Sequence, residues 1–178
     1  LINGIFNTLR LSEPIGICSI AAVLREAGHE VYLIEPRMMS ENIDEIVDYV
    51  HNLKPDYIGL STFSFERDKV YDMAAKIKQK SKQHFIVMGG LGPTLTPELY
   101  LNECRDIDAV LRGEGEFTSL KLLEYLLDED ADRWKECPGI VYRDDSGLCM
   151  TEMDSKIEDL DILPFMARDM LEKNFERY

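Results

Sequence analysis

Few residues of this chain stand in patterns that can do chemistry, and most of those are glycines and hydroxyls. One group is Ser61-Thr62-Phe63, followed by Ser64. A second is Gly89-Gly90 with Gly92, Pro93 and Thr94 close behind. A third is Arg112-Gly113-Glu114-Gly115-Glu116, and a fourth is Pro14-Ile15-Gly16. A serine or threonine hydroxyl becomes a nucleophile only beside a base. The three histidines, His29, His51 and His84, all stand apart from these groups. Hydrogen bonding to a ligand is therefore the better use of the hydroxyls. Adjacent glycines remove two Cβ atoms, so Gly89-Gly90 either lets a flat ligand lie against bare backbone or makes a tight turn that needs positive φ. Glu114 and Glu116 are spaced for a shared metal, but they equally suit a turn leading into a helix whose first residues are acidic, which the helix dipole favours.

Familiar alternatives fail on particular residues. A dinucleotide site asks for G-x-G-x-x-G in the first turn, and only Gly16 is available. A flavin phosphate loop would want a run of hydroxyls and glycine where Thr8 and Ser12 are separated by Leu9 to Leu11. A phospho-receiver would carry a carboxylate where Ser61 stands. Cys18, Cys104, Cys137 and Cys149 form no C-x-x-C pair, so neither a zinc nor an iron–sulfur site is supported within the chain. They read as single buried or half-buried thiols.

The elements that must position these groups follow from hydrophobic period. Short apolar runs, Leu1 to Phe6, Glu30 to Glu35, Tyr57 to Ser61, Phe85 to Met88 and Ile107 to Leu111, read as strands buried on both faces. Helices fall between and after them. Ile17, Ile20, Ala21 and Leu24 recur at helical spacing, and Ala27-Gly28 ends that helix. Ser40 is placed to cap a helix burying Ile43, Ile46, Val47 and Val50. A long helix over about 66–82 turns Val70, Met73, Ala74 and Ile77 inward. A short one spans 97–103, and the last carries Phe117, Leu120, Leu123 and Leu127 on its apolar side. Strand-then-helix repeats of this kind predict a doubly wound α/β domain with a five-stranded parallel sheet, flavodoxin-like and Rossmann-type, over 1–132. Residues 133–156 read as a β-hairpin appendage turning at Asp144 to Gly147. Residues 157–178 read as a linker. All four chemistry-bearing groups then fall at the C-terminal strand ends, where an open parallel sheet binds its ligand.

Composition narrows the partners. The formal charge of −14 argues against a nucleic-acid backbone as partner, and an apolar share of 45% is ordinary for a protein with a real core. No apolar run approaches the roughly 20 residues that span a bilayer, and the opening Leu1-Ile2 has no basic leader, so a cytoplasmic location is expected. The abrupt start also reads as the interior of a first strand.

Taken in order, Pro14-Ile15-Gly16, Ala27-Gly28-His29-Glu30-Val31, Pro55 to Ser61, Met88-Gly89-Gly90, Pro93-Thr94, Pro97-Glu98, Gly113-Glu114-Gly115-Glu116, Pro138-Gly139-Ile140 and Leu160 to Pro164 resemble the N-terminal cobalamin-binding domain of cobalamin-dependent radical S-adenosylmethionine enzymes. The resemblance covers nearly the whole chain. It implies cobalamin across the C-terminal strand ends, its nucleotide tail threaded beside the sheet. Ser61 would hydrogen-bond the tail, with Thr62 and Phe63 beside it. Gly89 and Gly90 would let the tail's base pack on backbone, with Gly92, Pro93 and Thr94 next to them. Gly113 to Glu116 would border the groove, as would Pro14 and Gly16. It also implies a C-terminal radical S-adenosylmethionine domain of the same protein beyond Tyr178. That domain would hold S-adenosylmethionine and a [4Fe-4S] cluster, and this chain alone would bind cofactor without turnover. The D-x-H-x-x-G motif of histidine-ligated cobalamin domains is absent from the first loop, which implies cobalt without a protein imidazole. A nucleotide-sugar-binding, glycosyltransferase-like domain is the alternative, since a helix followed by Ala-Gly-His-Glu-Val also opens such domains.

Overall fold

The structure is a computed structural model that describes residues 1–4, 13–40, 42–153 and 157–171. A six-stranded sheet forms its centre, in the order β1 (Ile2–Asn3), β2 (Tyr57–Ser61), β3 (Phe85–Gly89), β4 (Ala109–Leu111), β5 (Ile140–Asp144) and β6 (Gly147–Met150). The first four strands run parallel, and β4–β5 and β5–β6 are antiparallel. The helices are α1 (Ile15–Glu26), α2 (Pro36–Met39), α3 (Ile43–Leu53), α4 (Arg67–Lys80), α5 (Leu91–Leu95), α6 (Pro97–Glu103) and α7 (Glu116–Leu126). Among the described residues none is long and apolar enough to cross a membrane.

The two faces of the sheet are filled unequally. In-register pairing of Ile58 with Ile86 and of Leu60 with Met88 sends these side chains to one face. There they meet Ile46, Val47 and Val50 of α3 and Val70, Met73, Ala74 and Ile77 of α4 in the main core. Each such side chain, fully buried, contributes on the order of 1.5–3 kcal/mol. The alternating residues Tyr57, Gly59, Ser61, Val87, Gly89, Ala109 and Leu111 face α1 and α7. The core on that side, Val87, Ala109, Leu111, Leu122, Cys137 and Ile140, is much smaller. Glycine at 59 and 89 leaves part of that face without side chains.

Three expectations differ in detail. Glu30 to Glu35, expected as a full strand, contributes one parallel bridge, Ile2 to Ile34. It lies outside β1, where a two-residue strand offers little ladder to pair with, so the four named parallel strands become five only by counting this bridge. The resulting order is consistent with flavodoxin-like winding. Asn42, and not Ser40, caps α3 by accepting from the Asp44 N–H at 3.0 Å; Ser40 accepts from the Asn42 N–H one step earlier. On α7 the buried residues are Glu116, Ser119, Leu122 and Leu123, while Phe117 and Leu127 are exposed. That helix is apolar on more than one side, so its period leaves the inward face open. The expected first-strand residues Ile5 and Phe6 lie outside the described residues, as does the loop Asn7 to Ser12.

The β5–β6 hairpin is joined to the sheet through β4, and the segment before Leu171 also returns to it. The Ala167 N–H donates to the Cys18 carbonyl at 3.1 Å, and Ala167 is buried on Ala21 and Ala22 of α1. Ion pairs Arg168–Glu13 (2.9 Å) and Arg25–Asp169 (2.5 Å) flank this contact.

Candidate functional site

A slot of about 170 Å³ opens between α1, α7 and the sparsely filled face of the sheet. Ser61, Gly89, Gly90, Gly113, Glu114, Gly115, Glu116 and Gly16 line it, so one member or more from each sequence group meets here. Thr62, Phe63, Gly92, Pro93, Thr94 and Pro14 lie outside the lining. Thr62 is buried; its hydroxyl donates to the Phe63 carbonyl (2.9 Å) and its N–H to Gly89 (3.1 Å), which joins the ends of β2 and β3. Thr94 acts at one remove, its hydroxyl accepting from the Gly113 N–H at 3.2 Å and so tying the β3 loop to the β4 loop.

The glycines divide into distinct roles. Gly90 has φ +106°, and a Cβ there would stand 2.7 Å from the Thr62 carbonyl oxygen. Gly113 has φ +77° and is covered by Met153. At Gly115 a Cβ would meet Ile20 of α1 at 2.7 Å, so its absence lets α1 and the start of α7 close together. Gly89 is different. A Cβ there would touch only Leu111, at an ordinary 3.9 Å, and would otherwise project into the slot.

Several lining residues are absent from the sequence groups. Gly59 could have been found, because a glycine inside an apolar strand often marks close approach by another group. The group here is Tyr57, whose ring lies against Gly59. Ile17, Ile20, Val87 and Leu111 give apolar walls, and Ser119 a hydroxyl. Burial pushes the Tyr57 phenol up to about 12, so it stays protonated as a hydrogen-bond donor at neutral pH. Glu116 heads α7 with Gly115 as its N-cap, the dipole-favoured placement of an acidic residue, and among the described residues no cluster of three or more His, Cys, Asp or Glu could hold a metal. Cys18, Cys104 and Cys137 are buried, and burial raises the Cys18 thiol to about 11, which removes it as a nucleophile.

Beside the lining residues in the chain, Ile15, Phe63, Phe65, Leu91 and Leu95 are all exposed, and the Phe63 and Phe65 rings stack at 5.7 Å. Large apolar residues exposed together at one end of a domain mark a contact surface better than the same residues scattered singly. A larger cavity of about 220 Å³ lies at the other end of the strands, among Val31, Tyr32, Val50, Pro55 and Leu127, and shares Leu1 and Tyr57 with the slot. It lacks the glycine walls, and ligands of open α/β sheets bind at the opposite, C-terminal ends.

Residues 7–123 match the B12 binding domain family. The chain belongs to that family. Cobalamin is thus the cofactor of this B12-binding domain, and the slot offers a flat group two suitable features, bare backbone at Gly89 and apolar walls. The domain is 30% identical over 158 residues to an uncharacterized methyltransferase of Pyrococcus horikoshii, covering 89% of this chain and 34% of that protein. It is 31% identical over 151 residues to an anaerobic magnesium-protoporphyrin IX monomethyl ester cyclase of Synechocystis sp., covering 84% and 30%. The domain thus spans about a third of the length of these relatives. In fold it is similar to the cobalamin-dependent S-adenosylmethionine radical enzyme OxsB with aqua-cobalamin and S-adenosylmethionine bound, with TM-score 0.79, 21% identity, and 96% of this chain against 24% of that one. It is likewise similar to the radical S-adenosylmethionine methyltransferase TsrM of Kitasatospora setae with cobalamin and a [4Fe-4S] cluster bound, with TM-score 0.70, 14% identity, and 92% against 30%. The glycosyltransferase-like alternative is set aside: the family is a B12-binding one, and the slot lining has two glutamates and no basic residue to meet a diphosphate.

Proposed function

We propose that this domain is the cobalamin-holding module of a longer protein whose radical S-adenosylmethionine domain lies in the same chain, and that the slot receives the nucleotide tail. The observation that carries the placement is the bare backbone at Gly89 between apolar walls, a shape suited to a flat ring system edged by a few hydroxyls. In this reading Ser61, at the mouth, bonds the tail. Gly90 and Gly113 hold the turns that shape the rim, Thr94 fixes those turns to each other, and the Gly113 to Glu116 turn borders the groove. The exposed Phe63, Phe65, Leu91 and Leu95 offer an apolar surface to the corrin ring. Pro14 and Gly16 open α1 on the remaining side.

When bound, cobalamin supplies a cobalt that can carry a methyl group or assist radical chemistry. The residues of this domain bind and orient. No histidine stands between Gly4 and Ile15, so no imidazole from this loop would reach the cobalt. Residues 1–132 act as the binding domain, 133–156 as a buttress and 157–178 as the link toward the catalytic domain, where S-adenosylmethionine and the iron–sulfur cluster would reside. Methyl transfer or related radical chemistry would be the activity of the whole.

Incubation with hydroxocobalamin followed by gel filtration tests the binding. Red absorbance should travel with the protein peak; colourless protein would overturn the proposal.

A further inference from the structure

Two hydroxyl-bearing residues, Ser119 and Tyr57, line the slot away from Ser61. Ser119 of α7 is 1% exposed and lines the slot, and its Oγ has no hydrogen-bond partner among the described residues. The Tyr57 ring lies along the same face, its phenol oxygen 3.5 Å from where a Gly59 Cβ would stand. The two are neighbours: Ser119 lies close enough to act on the Tyr57 phenol as a weak hydrogen-bonding group, but its Oγ makes no hydrogen bond of full geometry among the described residues. Buried hydroxyls without partners are rare in native proteins, and each calls for an explanation such as a ligand or a water.

Position says what the ligand part is. Gly59 sits two residues below Ser61 on β2, about 7 Å along the strand. Ser61 is at the mouth, and Ser119 with the Tyr57 phenol forms the floor. Between them the walls are Leu1, which lies over Gly59, with Ile17, Ile20, Val87 and Leu111. A flat heterocycle entering edge-on meets apolar groups with its two faces, Ser61 with its near edge, and the two floor hydroxyls with its far edge.

We infer that Ser119 and Tyr57 read the far edge of the tail's base, so that this domain favours corrinoids whose base carries a hydrogen-bonding group on that edge over the dimethylated base of cobalamin itself. The inference rests on the reading that the slot holds the tail. A methyl-bearing edge pressed against the floor displaces any water and leaves the Ser119 hydroxyl without a good partner, whereas a hydroxyl on the base satisfies it. One buried hydrogen bond made in place of one left unmade is worth about tenfold in affinity.

Equilibrium dialysis of the 178-residue chain against three corrinoids tests this without any turnover. They are cobalamin, the analogue with a 5-hydroxybenzimidazole base, and cobinamide, which has no base. The wild-type protein should bind the hydroxylated analogue about tenfold more tightly than cobalamin, one hydrogen bond's worth. Ser119→Ala should bring the two within about twofold while leaving cobinamide unaffected. The variant should melt with the wild type, because the Oγ makes no bond to lose; Tyr57→Phe provides an independent second test. A wild-type protein that does not distinguish the two bases overturns the inference, as does a Ser119→Ala variant that keeps the preference. Cobinamide binding as tightly as both would instead overturn the placement of the tail in the slot, and no binding of any corrinoid would overturn the cobalamin reading itself.

Discussion

Replacing Gly89 and Gly90 separately distinguishes a backbone requirement from a binding requirement. Gly90 has φ +106° and ψ −177°, a region that side chains essentially do not enter. Holding alanine there costs about 1–3 kcal/mol of strain. Its Cβ would also stand 2.7 Å from the Thr62 carbonyl oxygen, and Thr62 cannot retreat freely because its N–H is bonded to Gly89 at 3.1 Å. A total near 3 kcal/mol is expected for Gly90→Ala, which for a domain of this size lowers the melting temperature by roughly 6–12 °C. Gly89→Val has no such problem, since φ is not positive there, the nearest group is Leu111 at 3.9 Å, and a β-branched residue suits a strand. Its stability should stay within about 1 kcal/mol of wild type. Its methyls, however, project into the slot, and overpacking of about 1–3 kcal/mol predicts roughly 5- to 150-fold weaker cobalamin binding. Thermal unfolding followed by circular dichroism and spectral titration with hydroxocobalamin report the two quantities separately. A Gly90→Ala protein melting within about 2 °C of wild type would refute the strain argument. A Gly89→Val protein with undiminished affinity would refute the placement of the tail.

Two further predictions concern the opposite end of the sheet. Burial, together with His51 and Lys78, lowers the His84 pKa below its ordinary 6.5, so the folded protein binds fewer protons there than the unfolded chain. Stability from this site is complete above pH 6.5 and declines as pH falls through that value; urea midpoints at about pH 7.5 and 5.5 should differ less in His84→Gln than in wild type, and an unchanged difference would refute this account. Asp108 accepts from the Ile86 N–H and from Lys78 Nζ, each at 2.7 Å. Asp108→Ala removes the Ile86 N–H acceptor and leaves Lys78 with the His84 carbonyl alone (2.7 Å), so it should cost about 1–3 kcal/mol in urea unfolding, with Asp108→Asn losing less because it still offers an acceptor; equal losses would contradict the hydrogen-bond explanation.

What was legible in the sequence follows from how locally each feature is determined. The alternation of short apolar runs with helical periods places β2, β3, β4 and most helices, because each segment must bury its own apolar residues whatever its neighbours do. The edge run Glu30 to Glu35 carries the same local signal yet makes a single bridge at Ile34, since pairing depends on how much of β1 stands beside it. The inward face of α7 is illegible for a related reason. Leu120, Leu122, Leu123, Leu126 and Leu127 allow several faces, and contact with α1 selects the one that places Ser119 in the slot. Residues 167–171 have no period at all; their position depends on the small side chains Ala21 and Ala22 of a distant helix.

The Gly89-Gly90 pair shows the same limit at the level of single residues. In the sequence the two are equivalent, and a required turn and a bare wall for a ligand explain them equally well. The structure assigns one explanation to each. Gly90 is held by its own φ and by the Thr62 backbone, so it would be glycine even if no ligand bound. Gly89 has ordinary backbone and free space before it, so folding alone places no demand on it. Of the doublet, only Gly89 therefore carries information about function. That information becomes readable once Ser61, its register partner on β2, is seen to line the same slot.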